Sequence, residues 1–505
     1  MQDHDSSIHV ETTALRRLAL NGAFWSAAEG WGRQLASLVI FVFVARLLTP
    51  VDIGLFAMVV IVLAALQTVL DEGLNEVLVQ RHELEPLHLD SAFWSNVVLS
   101  GALCLGVSLL SGPVSALFGE PRLAPLISVA AAAPLLVGLS GVQQALLRRK
   151  LKYQTLALRS ITGVVAGGIV GLVLAAKGYG AWALVLQQVV DRAVGAAVLW
   201  GAAEWRPRFR FSRPHARDLA AYSGFMTCTR MVNFCSKQID RYMVAVLMGP
   251  AILGVYTLAF RVADTLGYLV VQGLATVGLS TFSRLQQDLE RMRRALYAAA
   301  ELSWMVAAPV FLGVCAVAPN LVVVMFGERW SASGAVLSVI ALLGLPGLVS
   351  TYAGAILRAT NRAGLLLGLL ILSAVLNVIV VLFTVQYGLL VVATAIVLRN
   401  VSFVPLYLYL MRQLVGARPI EYVKHMLPGL SAAIAMALTV WVAGLALGPQ
   451  MSVKLVLVAQ IALGALVYPL YLAVLAPAAL SRAIAAYRHW RGDRAGAPTA
   501  QGATP

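Results

Sequence analysis

The chain has 505 residues, 60% of them hydrophobic and only 12% charged, with a mean hydropathy of +0.82. A soluble domain carries roughly twice that charged fraction, so a water-soluble fold is excluded. The formal net charge of +15 would suit a nucleic-acid binder, but the basic residues sit between apolar runs, as they do in the cytoplasmic loops of membrane proteins.

Residues 1–17 are polar and lead straight into an apolar run starting near Leu18, too long for the apolar core of a cleavable signal peptide. Runs of roughly 20 apolar residues cross a bilayer as helices. On that criterion the first six spans fall at 21–47, 52–75, 91–111, 123–146, 155–176 and 179–202. Eight more follow at 219–248, 251–281, 296–319, 331–356, 363–386, 388–411, 427–447 and 453–476. The predicted fold class is all-α integral membrane, with about 14 transmembrane helices. Cys104, Cys228, Cys235 and Cys315 fall within apolar segments without metal-like spacing and read as small apolar fillers. His82 and His88, six apart in an acidic loop, read as solvated. Pro134, Pro309, Pro346 and Pro405 fall inside spans, where they loosen helix hydrogen bonding.

With the N-terminus in the cytoplasm, 25 loop Lys/Arg fall on the inner side and 5 on the outer side: Arg46, Arg122, Lys177, Arg329 and Lys454. That asymmetry places both termini inside. The chain also repeats itself. At an offset of 200, Ala45, Leu47, Pro50 and Gly54 match Ala245, Leu247, Pro250 and Gly254, and Phe56 pairs with Tyr256. Two parallel six-helix lobes plus two C-terminal helices are therefore expected, an arrangement suited to alternating access. The domains read as a cytoplasmic segment 1–17, a lobe 18–202, a basic cytoplasmic loop 203–218, a lobe 219–412, helices 13 and 14 at 413–476, and a partly disordered cytoplasmic tail 477–505.

Eight cations remain inside predicted spans: Arg33, Arg159, Arg192, Arg230, Lys237, Arg241, Arg261 and Arg399. A charge at the bilayer centre costs roughly 2.5–3.5 kcal/mol on insertion scales, so each needs a wet cavity, an acid or an anionic ligand. Four acids compensate in part: Glu29 four residues from Arg33, Asp264 three from Arg261, Asp191 beside Arg192 and Asp240 beside Arg241. An excess of four positive charges is left. Arg33, Arg230, Lys237, Arg261 and Arg399 are the candidate substrate-binding cations of a central cavity. Arg33, Arg230 and Arg261 lie deepest, and their guanidinium forks match phosphate oxygens. Gln34, Asn233 and Gln238 on the same helices offer hydrogen bonds to sugar hydroxyls. Glu29, Asp240 and Asp264 are candidates for ion coupling or for pairing with arginine. Arg159, near the inner boundary, reads as a structural or snorkelling cation. No phosphate-loop, nucleophile-elbow or zinc-protease motif occurs, and neither a metal nor a cofactor is expected.

Three segments carry a resemblance: SAAEGWGRQLASLVIFVFVARLLTPVDIGLFAM, LLRRKLKYQTLALRS at 146–160 and QIDRYMVAVLMGPAILGVYTLAFRV at 238–262. They resemble the bacterial oligosaccharide flippase family of polysaccharide transporters, the Wzx-like branch near colanic acid and succinoglycan exporters. That branch lies within the multidrug/oligosaccharidyl-lipid/polysaccharide transporter superfamily. The resemblance covers roughly 18–415. It implies movement of an undecaprenyl-pyrophosphate-linked oligosaccharide from the inner to the outer leaflet of the plasma membrane, and a cationic central cavity. The implied partners are that lipid-linked anion, the bilayer and the polysaccharide polymerase and export machinery, with no nucleic acid. Rival readings are a peptidoglycan lipid-precursor flippase and a cation-coupled multidrug exporter. A membrane polymerase or ligase fits less well, because the predicted outer loops are too short to carry a catalytic site.

Overall fold

A computed structural model describes residues 25, 28–71, 78–79, 84–272, 288–448, 450–478 and 481–482. The N-terminal segment 1–17 and the tail from 483 lie outside the described residues, as does His82. Every regular element among the described residues is helical. In chain order these are α1 (Ala28–Leu47), α2 (Pro50–Asp71), α3 (Pro86–Leu117), α4 (Leu123–Arg149), α5 (Tyr153–Ala176) and α6 (Ala181–Ala202). Two helical arms follow, together labelled α7 (Arg213–Gly267), and they are joined at Gly249, whose φ of 80° leaves the helical region. Then come α8 (Leu289–Phe326), α9 (Glu328–Ala359), α10 (Gly364–Tyr387), α11 (Leu389–Val415), α12 (Pro419–Leu447) and α13 (Val453–Leu475).

Among the described residues, twelve helical segments are long and apolar enough to cross a membrane. The two other expected spans are helical as well. In α2 the described apolar stretch is the shorter Pro50–Ala64, and the first arm of α7 covers 219–248. The seventh and eighth spans are thus two helices that meet at the Gly-Pro step, where the backbone leaves the helical region at Gly249. Proline has no N–H to donate to the carbonyl four residues back, and three of the four flagged prolines lie just after a local break. Pro134 follows the turn at Ala131, Pro346 follows the 3-10 turn Ala341–Leu343, and Pro405 follows the turn at Phe403.

Packing divides the chain into two compact units. One comprises 1–265, 325–336 and 367–396; the other comprises 266–324, 337–366 and 397–505. In the first unit, the Leu-Thr-Pro-x-Asp-x-Gly turn is explained atom by atom. Thr49 is the N-cap of α2: its backbone N–H and hydroxyl donate to Asp52 Oδ2 at 2.9 and 2.6 Å. Asp52 N–H returns a bond to Thr49 Oγ1 at 3.3 Å, closing a capping box around Pro50 in the first turn. A Cβ at Gly54 would overlap the Pro250 carbonyl, and one at Gly254 would overlap the Pro50 carbonyl. The two copies of the sequence repeat therefore touch each other reciprocally through their glycines.

Two of the five cations that the charge asymmetry assigns to the outer side act as helix caps. Arg46 Nε donates to Met325 O at 2.7 Å and Arg329 Nη1 donates to Leu48 O at 3.1 Å. The fully buried Trp330 donates to Ala45 O at 2.9 Å. Each satisfies a carbonyl that a helix end leaves open. His88 is not solvated: it is buried, and its Nδ1 accepts from Glu85 N–H at 3.3 Å as part of the α3 cap.

In the second unit, Trp304, Phe311, Tyr352, Met411 and Tyr422 form the core. Glu301, 8% exposed, accepts from Arg482 Nε and Nη2 at 3.0 and 2.7 Å and contacts His425 Nδ1 at 3.0 Å. This carboxylate falls inside the predicted span 296–319, so it belongs in the charge count beside Glu29, Asp191, Asp240 and Asp264. Asp52, Asp71 and Glu72 fall inside the predicted span 52–75 as well, and Arg46 and Lys454 inside 21–47 and 453–476, so on the stated bounds ten cations face eight acids and the excess is two.

Candidate functional site: a cationic cavity

The first unit encloses a cavity of about 330 Å³ walled by α1, α2, α5, α6 and both arms of α7. The walls follow helical spacing, in which residues three, four and seven apart share a face. On α1 the lining residues are Arg33, Gln34, Ser37 and Phe41; on α6 they are Leu184, Gln187, Gln188, Asp191 and Arg192. The second arm of α7 adds Thr257, Arg261 and Asp264, and the first arm adds Gln238 and Arg241. Phe56, Val60 and other α2 residues close the apolar side. Helix α5 approaches α6 closely because Gly163 and Gly167 lie against Asp191, where a Cβ would collide. Small residues permit that approach inside a membrane, and the contact fixes Asp191 at the cavity wall.

The ion pairs run between α1 and α6 and between the two helical arms of α7, which corrects the pairing inferred from neighbours along the chain. Arg33 Nη2 bonds Asp191 Oδ2 at 3.0 Å across 158 residues, with the Asp191 side chain 14% exposed. Arg241 Nη2 bonds Asp264 Oδ2 at 2.7 Å. Glu29 instead accepts from Ser160 Oγ at 2.6 Å, and Asp240 accepts from Tyr256 OH at 2.6 Å. Helix spacing reveals only same-helix neighbours, whereas a low-dielectric interior lets charges choose partners on facing helices.

Arg261 is the distinctive cation. Its Nη2 donates to Ser37 Oγ and its guanidinium lies 5.8 Å from the centre of the Phe41 ring. Its Nε is buried without a hydrogen-bond partner among the described residues, and so are Gln187 Oε1, Gln188 Oε1 and Thr257 Oγ1. Four arginines and two aspartates line the cavity, a formal excess of two positive charges. A buried cation without its own carboxylate is expensive unless an anion visits it.

Of the five cations singled out from the sequence, Arg33 and Arg261 meet at this cavity. Arg399 belongs to the second unit, in the last turn of the segment Leu389–Ser402. The side chains of Arg230, Lys237 and Asn233 lie outside the described residues. Gln34 and Gln238 line the cavity, as does Asp264, whereas Glu29 and Asp240 are not among its lining residues. Sequence reasoning passed over Gln187 and Gln188 and gave Arg192 and Arg241 no site role. The signal was present: Leu184, Gln187, Gln188, Asp191 and Arg192 make a polar stripe at helical spacing within a span.

A family model described as polysaccharide biosynthesis protein matches residues 43–335, which contain both arms of α7 and most of this cavity. The chain belongs to the polysaccharide biosynthesis protein family. It is 28% identical over 321 residues to the succinoglycan biosynthesis transport protein ExoT of Rhizobium meliloti, covering 63% of this chain and 64% of that protein. The aligned part thus spans under two thirds of that relative's length. It is 26% identical over 355 residues to the lipopolysaccharide biosynthesis protein WzxC of Escherichia coli, covering 69% and 71%. The fold is that of a solved lipid II flippase, MurJ in an inward closed conformation: the TM-score is 0.69 at 16% identity, over 90% of this chain and 97% of that one.

Proposed function

We propose that this membrane protein of the polysaccharide biosynthesis family translocates a polyprenyl-pyrophosphate-linked oligosaccharide by alternating access, without covalent chemistry. It would work from the inner to the outer leaflet of the bacterial plasma membrane, with both termini cytoplasmic. The observation that carries the reading is the cavity of net charge +2 inside an apolar helical unit. Guanidinium groups bind pyrophosphate oxygens with charge-assisted bonds, and the unpaired acceptors of Gln187, Gln188 and Thr257 suit sugar hydroxyl donors. The names of the relatives, which concern succinoglycan transport and lipopolysaccharide synthesis, support an exopolysaccharide or lipopolysaccharide repeat unit as cargo. The two lobes predicted from the repeat would rock about the fixed site. The polymerase and export machinery would take up the cargo outside.

The test is reconstitution into proteoliposomes with a fluorescent polyprenyl-pyrophosphate oligosaccharide, reading its appearance on the opposite leaflet. Protein-dependent transfer of the oligosaccharide-bearing lipid is expected. Equal rates with and without protein would overturn the reading, and transfer of a peptidoglycan precursor in preference to the oligosaccharide would reassign the cargo.

A further inference from the structure

A second site lies away from the cavity, in the non-helical strap 203–212 between α6 and α7. Its sequence, Glu204-Trp-Arg-Pro-Arg-Phe-Arg-Phe-Ser, interleaves arginine with aromatic residues and runs into Arg213. The strap is held by its backbone. Trp94 Nε1 donates to Arg208 O at 2.9 Å, Arg208 N–H donates to Asp90 Oδ1 at 3.0 Å, and Ser212 N–H donates to Ser91 Oγ at 3.0 Å. All three anchors sit in the first turns of α3. Trp205 packs on Phe93 and Arg206 turns back to Ala203 O and the Trp200 ring, whereas the later Arg and Phe side chains are exposed, with Phe209 stacked by one face on Trp94 at 4.9 Å. Phe209 is 93% exposed and Phe211 55% exposed, while Arg206, Arg208, Arg210 and Arg213 are exposed too. The one carboxylate in the strap, Glu204, is occupied by Lys150 at 3.1 Å and Lys152 at 3.6 Å. The strap's arginines therefore have no acid within it to answer them.

The strap begins where α6, a candidate membrane span, ends, and it is pinned to the start of α3, another span. Its level is therefore the boundary between hydrocarbon and water. Large exposed aromatics are costly in water but settle at that boundary, and arginine clusters beside spanning helices attract anionic headgroups. We infer that the strap 204–213 is a pre-organised clamp for anionic phospholipid headgroups of the leaflet on its own side, with Arg208, Arg210 and Arg213 holding phosphate and Phe209 and Phe211 entering the acyl boundary. Pinning matters because a disordered basic loop would lose entropy on binding, whereas this backbone is already ordered. The inference stands apart from the transport reading and uses none of the cavity residues.

The experiment is native mass spectrometry of the full-length protein in detergent, titrated with an equimolar mixture of phosphatidylglycerol and phosphatidylcholine. The wild type should retain phosphatidylglycerol with roughly tenfold preference, the size expected from a few interfacial cations. The triple variant Arg208→Gln/Arg210→Gln/Arg213→Gln should fall to within about twofold of no preference, and the matching Arg→Lys triple should keep most of it. Phe209→Ser/Phe211→Ser should weaken retention of both lipids while leaving the preference in place. A glutamine triple that keeps the wild-type preference would overturn the inference. So would a wild type with no preference, or displacement of the bound lipid by micromolar inorganic pyrophosphate.

Discussion

At the scale of single residues, two cavity cations, Arg33 and Arg241, are in carboxylate ion pairs, and Arg261 is held differently. Arg33 bonds Asp191 and Arg241 bonds Asp264, while among the described residues Arg261 donates to the Ser37 hydroxyl, lies against the Phe41 ring and feels the Asp264 carboxylate only at longer range. Arg261→Gln should therefore weaken binding of a polyprenyl pyrophosphate by about 1.5–3 kcal/mol, one to two decades in affinity, since a charged hydrogen bond is lost and no carboxylate is orphaned. Fluorescence titration of the purified protein checks this, and unchanged affinity would remove Arg261 from the site. Arg33 should behave differently. Arg33→Gln leaves Asp191 without its partner and Asp191→Asn leaves Arg33 without its own, so each single change should destabilise the protein more than the double change does. A coupling of about 0.5–3 kcal/mol is expected from a double-mutant cycle on thermal unfolding in detergent. The sequence exposed the depth of Arg33 and Arg261, because burial of charge in a span is a one-dimensional property. It did not reveal that Arg33 would choose Asp191, 158 residues away, over Glu29, four residues away, because that choice depends on which helices face each other. Glu301 was overlooked for a related reason: it lies near the start of a predicted span, and its partner Arg482 sits in what reads as the tail.

At the scale of elements, the repeat was legible and its meaning was not. The matching Pro-x-x-x-Gly turns at 50–54 and 250–254 stood out in the sequence as a sign of duplication. The structure shows that each glycine accommodates the other copy's proline carbonyl. Gly54→Ala should destabilise the protein by about 1–3 kcal/mol through overpacking against backbone that cannot retreat. Gly254→Ala should cost a similar amount, and the double variant should cost less than the sum because both open the same contact. Additive losses in melting experiments would show that the two glycines act separately. The helix start at Thr49-Pro50 was legible to within two residues of the predicted 52, whereas the capped start at Pro86 lies five residues before the predicted 91. The break between the two arms of α7 at Gly249 was legible as well, since a Gly-Pro step separates helices. The link between α4–α5 and the strap carries a pH dependence. Bonding to Lys150 and its charge, reinforced by Lys152, holds the Glu204 carboxyl below the usual carboxylate range. The tie is complete above the unfolded carboxylate value and is lost as pH falls through the lower folded value. Because Glu204 is exposed, the tie should also fade with salt. Glu204→Gln should abolish the acid-side change in cross-linking between positions 150 and 204 flanking this tie, using cysteines introduced at the neighbouring residues Leu151 and Ala203. An acid-side change that survives the substitution would place its origin elsewhere.

At the scale of the whole molecule, and on the proposed reading of the protein as a flippase, the charge of the cavity decides which step of the cycle feels the membrane potential. A doubly esterified pyrophosphate carries about two negative charges near neutral pH. The empty cavity has a formal excess of two positive charges, so the loaded cavity is close to neutral. Moving each elementary charge through 100 mV is worth about 2.3 kcal/mol, so a full cycle that exports two negative charges gains about 4.6 kcal/mol at an inside-negative 100 mV. That gain need not fall on the step that carries the cargo. A neutral loaded cavity crosses the field without electrical work, while the empty positive cavity is drawn back toward the negative inner side. The potential should therefore accelerate resetting rather than export. In proteoliposomes with a potassium-diffusion potential, multiple-turnover transport should rise steeply with inside-negative voltage, whereas single-turnover export of pre-bound cargo should hardly change. Arg261→Gln shifts both states by one charge, leaving the empty cavity at +1 and the loaded one at −1. In that variant single-turnover export should acquire voltage dependence and resetting should lose half of its own. Steep voltage dependence of single-turnover export in the wild type would mean that the cargo crosses uncompensated, and that the four cavity arginines do not neutralise it.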